Sequence, residues 1–163
     1  MRVANKIALV TGASSGIGLA AAELLVKEGA TVYAADINPD GEAIATRIGA
    51  AFVHLNVTDA ADWQNAMNRI EAQHGRLDIL LNNAGYSPHD TVEDFELEVW
   101  RQIQSVVVEG IALGCKVALP LMQRSQSASI VNTSSVAGLI GTTHYFSYGA
   151  AKAGVTNVTK STA

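Results

Sequence analysis

The chain has 163 residues and a formal net charge of −4, and its 48% hydrophobic and 16% charged residues are typical of a globular protein with a sizeable core. No basic block or stripe is present, which argues against nucleic acid or an anionic membrane as a partner, and no uninterrupted apolar stretch predicts a membrane span. The single cysteine, Cys115, excludes an internal disulfide framework and a cysteine-based metal site. Because the first residues lack the apolar core of a signal peptide, we expect a cytoplasmic location.

A glycine-rich stretch, residues 11–18, stands between a predicted strand and a predicted helix. The apolar run at residues 7–10 is too short for a helix and suits a strand buried on both faces. Residues 19–27 are rich in good helix formers and are followed by Gly29. Backbone N–H groups of such a turn, together with the helix N-terminus, bind phosphate, which approaches closely because glycine has no Cβ. The pattern is typical of dinucleotide binding.

Other interpretations of this stretch differ in the residues that they require. A nucleoside-triphosphate P-loop needs a Gly-Lys-Ser/Thr ending, and no lysine follows Gly16 or Gly18. Residues 12–16 satisfy the G-x-S-x-G pattern of a hydrolase nucleophile elbow with Ser14 as the nucleophile, but no strand precedes that could supply an oxyanion hole. A glycine turn without a ligand is not excluded by the glycines alone.

The second predicted strand, residues 31–35, ends at Asp36. In dinucleotide-binding folds an acidic residue about 20 positions beyond the glycines accepts hydrogen bonds from the adenosine ribose. A carboxylate there repels the additional phosphate of NADP, and no arginine or lysine is close in sequence to attract it. Asp36 therefore favours NAD over NADP, unless it is simply a solvated aspartate at the end of a strand.

The rest of the chain continues the alternation of strands and helices. We predict strands at residues 51–55, 77–81 and 129–133, and helices at residues 39–48, from a cap at Thr58 or Asp59 to His74, 93–122, and from Tyr148 onward. Buried strands that alternate with helices predict an α/β fold with a doubly wound parallel sheet. The four histidines show no ligand spacing, so we predict structural or surface roles for them and no metal site.

Tyr148 and Lys152 lie four residues apart and therefore on one face of the last predicted helix. A phenol ionises only near pH 10, and a neighbouring ammonium favours the phenolate form. Such a pair is able to act as a general acid or base. Ser135, at the end of the fifth predicted strand, is able to hydrogen-bond a substrate oxygen. Beside a nicotinamide, these groups suit hydride transfer between an alcohol and a carbonyl.

With these motifs the sequence resembles the short-chain dehydrogenase/reductase family, of the NAD-dependent alcohol and hydroxysteroid dehydrogenase type. The resemblance rests on the glycine pattern of residues 11–18, on Asn-Asn-Ala-Gly at residues 82–85, and on Ser135, Tyr148 and Lys152. It implies a Rossmann-like fold and an oxidoreductase that interconverts a secondary alcohol and a ketone. Tyr148 is then the acid/base, Lys152 binds the nicotinamide ribose and favours the phenolate, and Ser135 orients the substrate.

The resemblance also implies which residues bind the cofactor and how the chain assembles. The implied cofactor-binding residues are Gly12, Ser14, Ser15, Gly16, Ile17, Gly18, Asp36, Ile37, Asn56, Val57, Asn83, Ala84, Gly85, Tyr148 and Lys152. The expected cofactor is NAD, with NADP second, and the expected assembly of the intact form is a homodimer or homotetramer. We expect residues 1–163 to form one dinucleotide-binding domain that lacks the C-terminal strands and substrate-covering part of the family.

The sequence departs from the family pattern at three places. Val107 stands where the family usually has an asparagine that helps to hold a water joined to the lysine. Asn56 stands where an aspartate near the adenine is common, and Ala163 falls inside the helix that carries Tyr148. The alternative expectation is therefore a catalytically impaired or inactive dinucleotide-binding or interaction module.

Overall fold

The computed structural model describes all residues from Met1 to Ala163 as a single parallel sheet of five strands with helices on both faces. The strand order is β3-β2-β1-β4-β5, and all four pairings are parallel. The predicted doubly wound Rossmann-like sheet is therefore confirmed. The strands are β1 Ile7–Thr11, β2 Thr31–Asp36, β3 Ala51–His54, β4 Ile79–Asn82 and β5 Ser129–Asn132. The α-helices are α1 Gly16–Lys27, α2 Gly41–Ile48, α3 Ala60–His74, α4 Leu97–Gln104, α5 Gly110–Met122 and α6 Phe146–Thr162.

The chain reverses its direction across the sheet between β1 and β4. From β1 it builds outward to β2 and β3, and it then crosses back to place β4 and β5 on the other side of β1. Every residue of β1 is buried, because both faces of this central strand are covered by helices. A crevice opens at such a switch point beyond the carboxyl ends of the two strands, and it is where ligands bind in open α/β sheets.

The larger part of the core lies between the sheet and the face formed by α3 and α5. Trp63, Met67 and Ile70 of α3 are all buried, as their spacing predicts. The Asp59 side chain accepts a hydrogen bond of 2.7 Å from Ala61 N and so caps α3, as expected for one of the two candidate caps. The buried side chains of α3 thus hold this helix against the sheet whose carboxyl edge forms the crevice.

The helix α1 begins at Gly16 and not at residue 19, and α2 begins at Gly41 and not at residue 39. Two further helix starts differ from the predicted positions for local reasons. The long helix begins at Leu97 and not at residue 93, because the Asp94 carboxylate accepts hydrogen bonds from Thr91 N and Oγ1 and closes a separate turn. The last helix begins at Phe146, two residues before the predicted Tyr148, because backbone and side-chain contacts from the preceding loop hold its first turn. Both differences arise from contacts that helix propensity does not encode.

One π-helical turn, Ser105–Glu109, joins α4 to α5. Its hydrogen bond runs from Gly110 N to Ser105 O, five residues earlier, so one residue more than in an α-helix is accommodated. Val107, at the centre of the turn, is completely buried among the side chains of Ile103, Ile111 and Val155. The turn therefore lies in the wall of the core and not at its surface.

The helical run Leu97–Met122 is long and apolar enough to cross a membrane by length and composition alone. In the fold it packs against α3, α6 and the sheet, and this packing accounts for its apolar composition. Gly110 and Gly114 permit the close approach: a Cβ at Gly114 would lie 2.7 Å from the Trp63 ring, and one at Gly110 would lie 3.0 Å from the Val57 side chain. Packing within one chain therefore explains both glycines.

Strand β5 forms one edge of the sheet. Its burial alternates between exposed and half-buried residues, and Val131 is half exposed. Unpaired N–H and C=O groups along such an edge are able to accept a further strand.

Asp78 anchors the opposite end of the sheet from the crevice. Its carboxylate accepts hydrogen bonds from Ile7 N at 2.8 Å and from Ser125 Oγ at 2.5 Å, and it lies near Arg76 and Lys6. Burial alone would raise the pKa of Asp78, but the hydrogen bonds and the two cations together lower it below its usual value. The ionised carboxylate is therefore the form that stabilises the fold.

The lowered pKa of Asp78 predicts a loss of stability in acid. Because the folded pKa lies below the unfolded one, the contribution is complete above about pH 4, the unfolded pKa, and is lost as the pH falls through the folded pKa. Asp78→Asn should lower the free energy of unfolding at pH 7 by about 1–3 kcal/mol and should flatten its dependence on pH below about pH 5. Urea denaturation at several pH values measures both effects. If the free energy of unfolding of Asp78→Asn falls in acid as steeply as that of the parent, the lowered pKa of Asp78 is not the cause.

Candidate functional site

The glycine-rich loop between β1 and α1 adopts a backbone that other residues would strain. Gly12 has φ +66° and Gly16 has φ +53°, both in the left-handed region. Gly18, in the first turn of α1, lies against the loop: a Cβ there would be 2.1 Å from Gly12 O and 2.6 Å from Asn83 Nδ2. The three glycines therefore leave main-chain amides open toward the crevice at the N-terminus of α1.

Asp36 lies at the carboxyl end of β2, next to the loop. Its Oδ2 accepts a hydrogen bond of 2.9 Å from Ser14 N, and its Oδ1 accepts one of 3.0 Å from Asn38 N. The carboxylate thus holds the middle of the loop and also faces the crevice. The Ser14 residue is buried, and its contact with Asp36 is made by the main chain.

Thr11 joins the first strand to the fourth, a role that sequence reasoning missed. Its Oγ1 accepts hydrogen bonds from Asn83 N at 2.9 Å and from Ala84 N at 3.0 Å. The Asn83 amide in turn donates to Thr11 O at 3.2 Å. These bonds fix the segment after β4 against the glycine loop. A threonine at the end of a strand that precedes a glycine loop was the available signal.

Lys152 is the most buried charged side chain at the crevice, at 4% exposure. Its Nζ donates a 2.5 Å hydrogen bond to Thr133 O, the carbonyl that follows β5, and lies 5.6 Å from the centre of the Tyr148 ring. Burial lowers the pKa of Lys152, because the ammonium has lost water without gaining a carboxylate partner. The helix α6 thus places an ammonium and a phenol side by side at the end of the sheet.

Ser135 is the N-cap of a short 3-10 helix, Val136–Gly138. Its Oγ accepts a hydrogen bond of 3.2 Å from Ala137 N, and the residue is half-buried. The 3-10 helix packs on α6 so closely that a Cβ at Gly138 would lie 2.5 Å from the main chain of Lys152. Ser135 is therefore held next to α6, but it is not part of the cavity wall described below.

One cavity of about 560 Å³ lies at the switch point and brings most of the predicted residues together. The predicted residues in its wall are Gly12, Ser15, Gly16, Ile17, Asp36, Ile37, Asn56, Val57, Asn83, Ala84, Gly85, Tyr148 and Lys152. Ser14, Gly18 and Ser135 stand outside the wall. Ser14 and Gly18 shape the loop from behind, through the contacts with Asp36 and Gly12.

The wall also contains residues that sequence reasoning missed, namely Leu55, Tyr86, Ser87, Gln102, Val106 and Thr133. Tyr86 and Ser87 directly follow the Asn-Asn-Ala-Gly segment, and Gln102 and Val106 are four residues apart in one helical run. The positions of both pairs in the sequence could therefore have predicted that they line the cavity. Thr133 contributes its main-chain carbonyl to Lys152, and no residue type predicts that contact.

Comparison with known proteins agrees with this architecture. The model of the family described as short chain dehydrogenase matches residues 6–163. The chain is 40% identical to a trans-4-hydroxycyclohexanecarboxylate dehydrogenase of Sinomonas cyclohexanicum, with 99% of the chain and 67% of that protein covered. It is 39% identical to a cyclopentanol dehydrogenase of Comamonas sp. (99% and 67%) and 38% identical to a 3-alpha-(or 20-beta)-hydroxysteroid dehydrogenase of Mycobacterium bovis (99% and 64%).

The chain thus spans about two thirds of the length of the relatives it matches. The match with the family model covers nearly all of the chain, including the glycine loop, the segment after β4 and the helix with Tyr148 and Lys152. Family model, relatives and fold agree, and the chain belongs to the short-chain dehydrogenase family, whose members are oxidoreductases acting on CH–OH groups.

Proposed function

We propose that this chain carries the cofactor site and the proton-transfer residues of an NAD(H)-dependent oxidoreductase that interconverts a secondary alcohol and a ketone. The observation that carries the proposal is the single cavity whose wall includes the glycine loop, Asp36, Tyr148 and Lys152. One ligand that spans this wall would contact an anion site, a carboxylate and a phenol–ammonium pair. A nicotinamide dinucleotide has an adenosine ribose diol, a pyrophosphate and a redox-active ring in that order, which suit the carboxylate, the anion site and the phenol–ammonium pair.

The residues present fit the adenosine half of NAD. Open amides at the start of α1 suit the pyrophosphate, and the Asp36 carboxylate at the end of β2 suits a ribose diol. Ile37, which is 63% exposed, and Asn56 would border the adenine. No lysine or arginine is in the cavity wall near Asp36 to neutralise an added phosphate, which supports NAD over NADP.

Tyr148 would transfer the proton of the reacting oxygen. In the direction of oxidation, its oxygen accepts the alcohol O–H proton while the C–H electron pair leaves as hydride. Bound NAD supplies the hydride acceptor at this site. The Lys152 ammonium lies beside the phenol ring, and Thr133 O holds the ammonium in place. Ser135 would orient the substrate oxygen from the start of the neighbouring 3-10 helix.

For the substrate we propose an alicyclic secondary alcohol. The three relatives described above are named for hydroxycyclohexanecarboxylate, cyclopentanol and 3-alpha-(or 20-beta)-hydroxysteroid, and the first two names denote a hydroxyl group on a carbon ring. We further propose a cytoplasmic location, a homodimer or homotetramer as the assembly, and one dinucleotide-binding domain over residues 1–163.

The ribose role of Asp36 is testable by comparing the two nicotinamide cofactors. Asp36→Ala should weaken NADH binding about tenfold, through the loss of about 1.4 kcal/mol, and should weaken NADPH binding less. Fluorescence titration of the purified chain measures both affinities. Asp36→Asn is the control for loop shape, because its amide oxygen is still able to accept from Ser14 N. Equal losses for the two cofactors would contradict a ribose contact.

A cofactor-binding module without turnover is the second candidate, and Val107 favours it. Val107 is completely buried and has no polar side-chain atom, and its Cγ2 would lie 3.4 Å from a Cβ at Gly85 in the cavity wall. The position therefore offers no side-chain hydrogen bond toward the cavity. NADH binding without oxidation of any alicyclic alcohol would favour this candidate over the enzyme.

Val107→Asn should distinguish the two candidates. The asparagine amide places a hydrogen-bonding group at this position, so we expect higher turnover. We also expect the free energy of unfolding to fall by about 1–3 kcal/mol, because a polar group enters an apolar cluster. Val107→Ala is the matched control, since it opens space without adding a polar atom. Turnover that rises equally in both variants, or in neither, would contradict a polar relay through this position.

A further inference from the structure

The first turn of α6, which carries Tyr148, has no cap of its own. The N-cap residue, Tyr145, makes no side-chain hydrogen bond to the helix. The first N–H groups of an α-helix have no acceptor within the helix, so they need a partner from elsewhere. The residue before the cap, His144, has φ +66°, a left-handed conformation that a non-glycine residue keeps only when its surroundings impose it.

Asp90 supplies these partners from a different segment of the chain. Its Oδ1 accepts a hydrogen bond of 2.9 Å from Ser147 N, and its main-chain O accepts one of 3.2 Å from Phe146 N. Its own N–H donates to His144 O at 3.1 Å. Asp90 therefore holds the chain on both sides of Tyr145, at the point where the helix begins.

Because Asp90 is buried, these hydrogen bonds are the main compensation for the water that its carboxylate has lost. The residue is only 7% exposed, and its second carboxylate oxygen is buried without a hydrogen-bond partner. The ion pairs of the chain involve other acidic residues. A buried carboxylate is costly unless positive charge or N–H groups face it, and the N-terminus of a helix provides both. The charge of Asp90 is thus directed at α6.

The placement of Asp90 links two walls of the cavity. Asp90 follows the segment from Asn83 to Ser87, which lines one wall, and it holds the helix that presents Tyr148 and Lys152 to the other. Tyr148 comes directly after the bonded Ser147. A shift of the helix start would therefore move the phenol relative to the segment after β4.

We propose that Asp90 is a positioning residue, which caps α6 from outside the helix and thereby fixes Tyr148 opposite the segment after β4. It acts through the helix and not on the substrate. Its effect on turnover rests on the proposed oxidoreductase function, whereas the cap itself does not. The two parts have separate measurements.

The test uses the full chain with Asp90→Ala and the conservative Asp90→Asn. In Asp90→Ala, amide hydrogen exchange at residues 146–149 should become faster by about tenfold or more, because Ser147 N loses its side-chain acceptor and only the main chain of residue 90 still holds the first turn. The kcat for an alicyclic alcohol should fall roughly tenfold or more, since displacement of a reacting group by about 1 Å is enough for such a loss. The Kd for NADH should stay within about twofold. Asp90→Asn keeps an acceptor oxygen and should recover most of the protection and of kcat.

Asp59→Ala is the matched control, because Asp59 caps α3 through an equivalent bond to Ala61 N. It should speed exchange at the start of α3 and leave kcat and the α6 amides unchanged. Unchanged exchange at residues 146–149 in Asp90→Ala would overturn the cap, and an unchanged kcat alongside faster exchange would overturn the positioning role. A parent chain that binds no NADH and turns over no alcohol would refute the oxidoreductase function and, with it, the positioning role, while the exchange data still decide the cap.

Discussion

Tyr148→Phe is expected to lower kcat by about 10²- to 10⁴-fold, the range that a positioned general acid or base contributes. The substitution removes only the phenol oxygen, so the ring stays beside the Lys152 ammonium and the cavity wall keeps its shape. We therefore expect the Kd for NADH to change by less than about twofold. Steady-state kinetics with an alicyclic alcohol and fluorescence titration with NADH measure the two effects separately.

Tyr145→Phe is the matched control for this experiment. Tyr145 lies 5.9 Å from Tyr148 between ring centres, and its hydroxyl faces His89 outside the cavity wall. This variant removes a neighbouring phenol oxygen without touching the pair on α6, and kcat should remain within about threefold of the parent. If Tyr148→Phe retains the parental kcat, the assignment of the acid/base is wrong.

Gly18→Ala is expected to disrupt the glycine loop more than any other single methyl group. The added Cβ would lie 2.1 Å from Gly12 O, and this main-chain atom is unable to move without displacing the loop. Overpacking of this kind costs about 1–3 kcal/mol, so we expect a comparable loss in the free energy of unfolding. The Kd for NADH should rise about 10- to 100-fold, because the loop amides shift from the positions that face the pyrophosphate.

Gly141→Ala provides the control, since a Cβ at Gly141 meets no atom within 4 Å and the residue has no left-handed φ. Its stability and NADH affinity should equal those of the parent chain. Thermal denaturation and NADH titration of the three proteins compare them directly. An unaltered NADH affinity in Gly18→Ala would show that the cofactor binds elsewhere.

Most of the fold could be predicted from the sequence, because buried parallel strands and amphipathic helices have distinct patterns of hydrophobic residues. Hydrophobic periodicity predicts all five strands and the inward face of α3, although β4 begins two residues later than predicted. The family was recognisable from Tyr148, Lys152, Ser135 and the glycine loop, because side-chain chemistry at fixed spacing is visible in sequence. The family model and the relatives confirm that recognition.

What the sequence did not reveal depends on main-chain atoms and on contacts between distant segments. The acceptor for Lys152 is the Thr133 carbonyl, and every residue type has this main-chain oxygen. The cap of α6 comes from Asp90, more than fifty positions earlier, so local capping rules place the helix start incorrectly. Thr11 bridges β1 and β4 through its hydroxyl, which only the strand order brings into range.

The π-helical turn at Ser105–Glu109 changes which sides of the long helix face inward. Each residue of an α-helix advances by about 100° around the axis, so one additional residue in the turn rotates everything after it by about that angle. Gln102, before the turn, and Val106, within it, line the cavity, and after the turn Gly110 and Gly114 face Val57 and Trp63. Without the additional residue, the part of the helix after the turn would be rotated by about 100°, and the two sets of contacts could not both form. The local change of pitch therefore allows one helical run to line the cavity near its start and to pack tightly against Trp63 near its end.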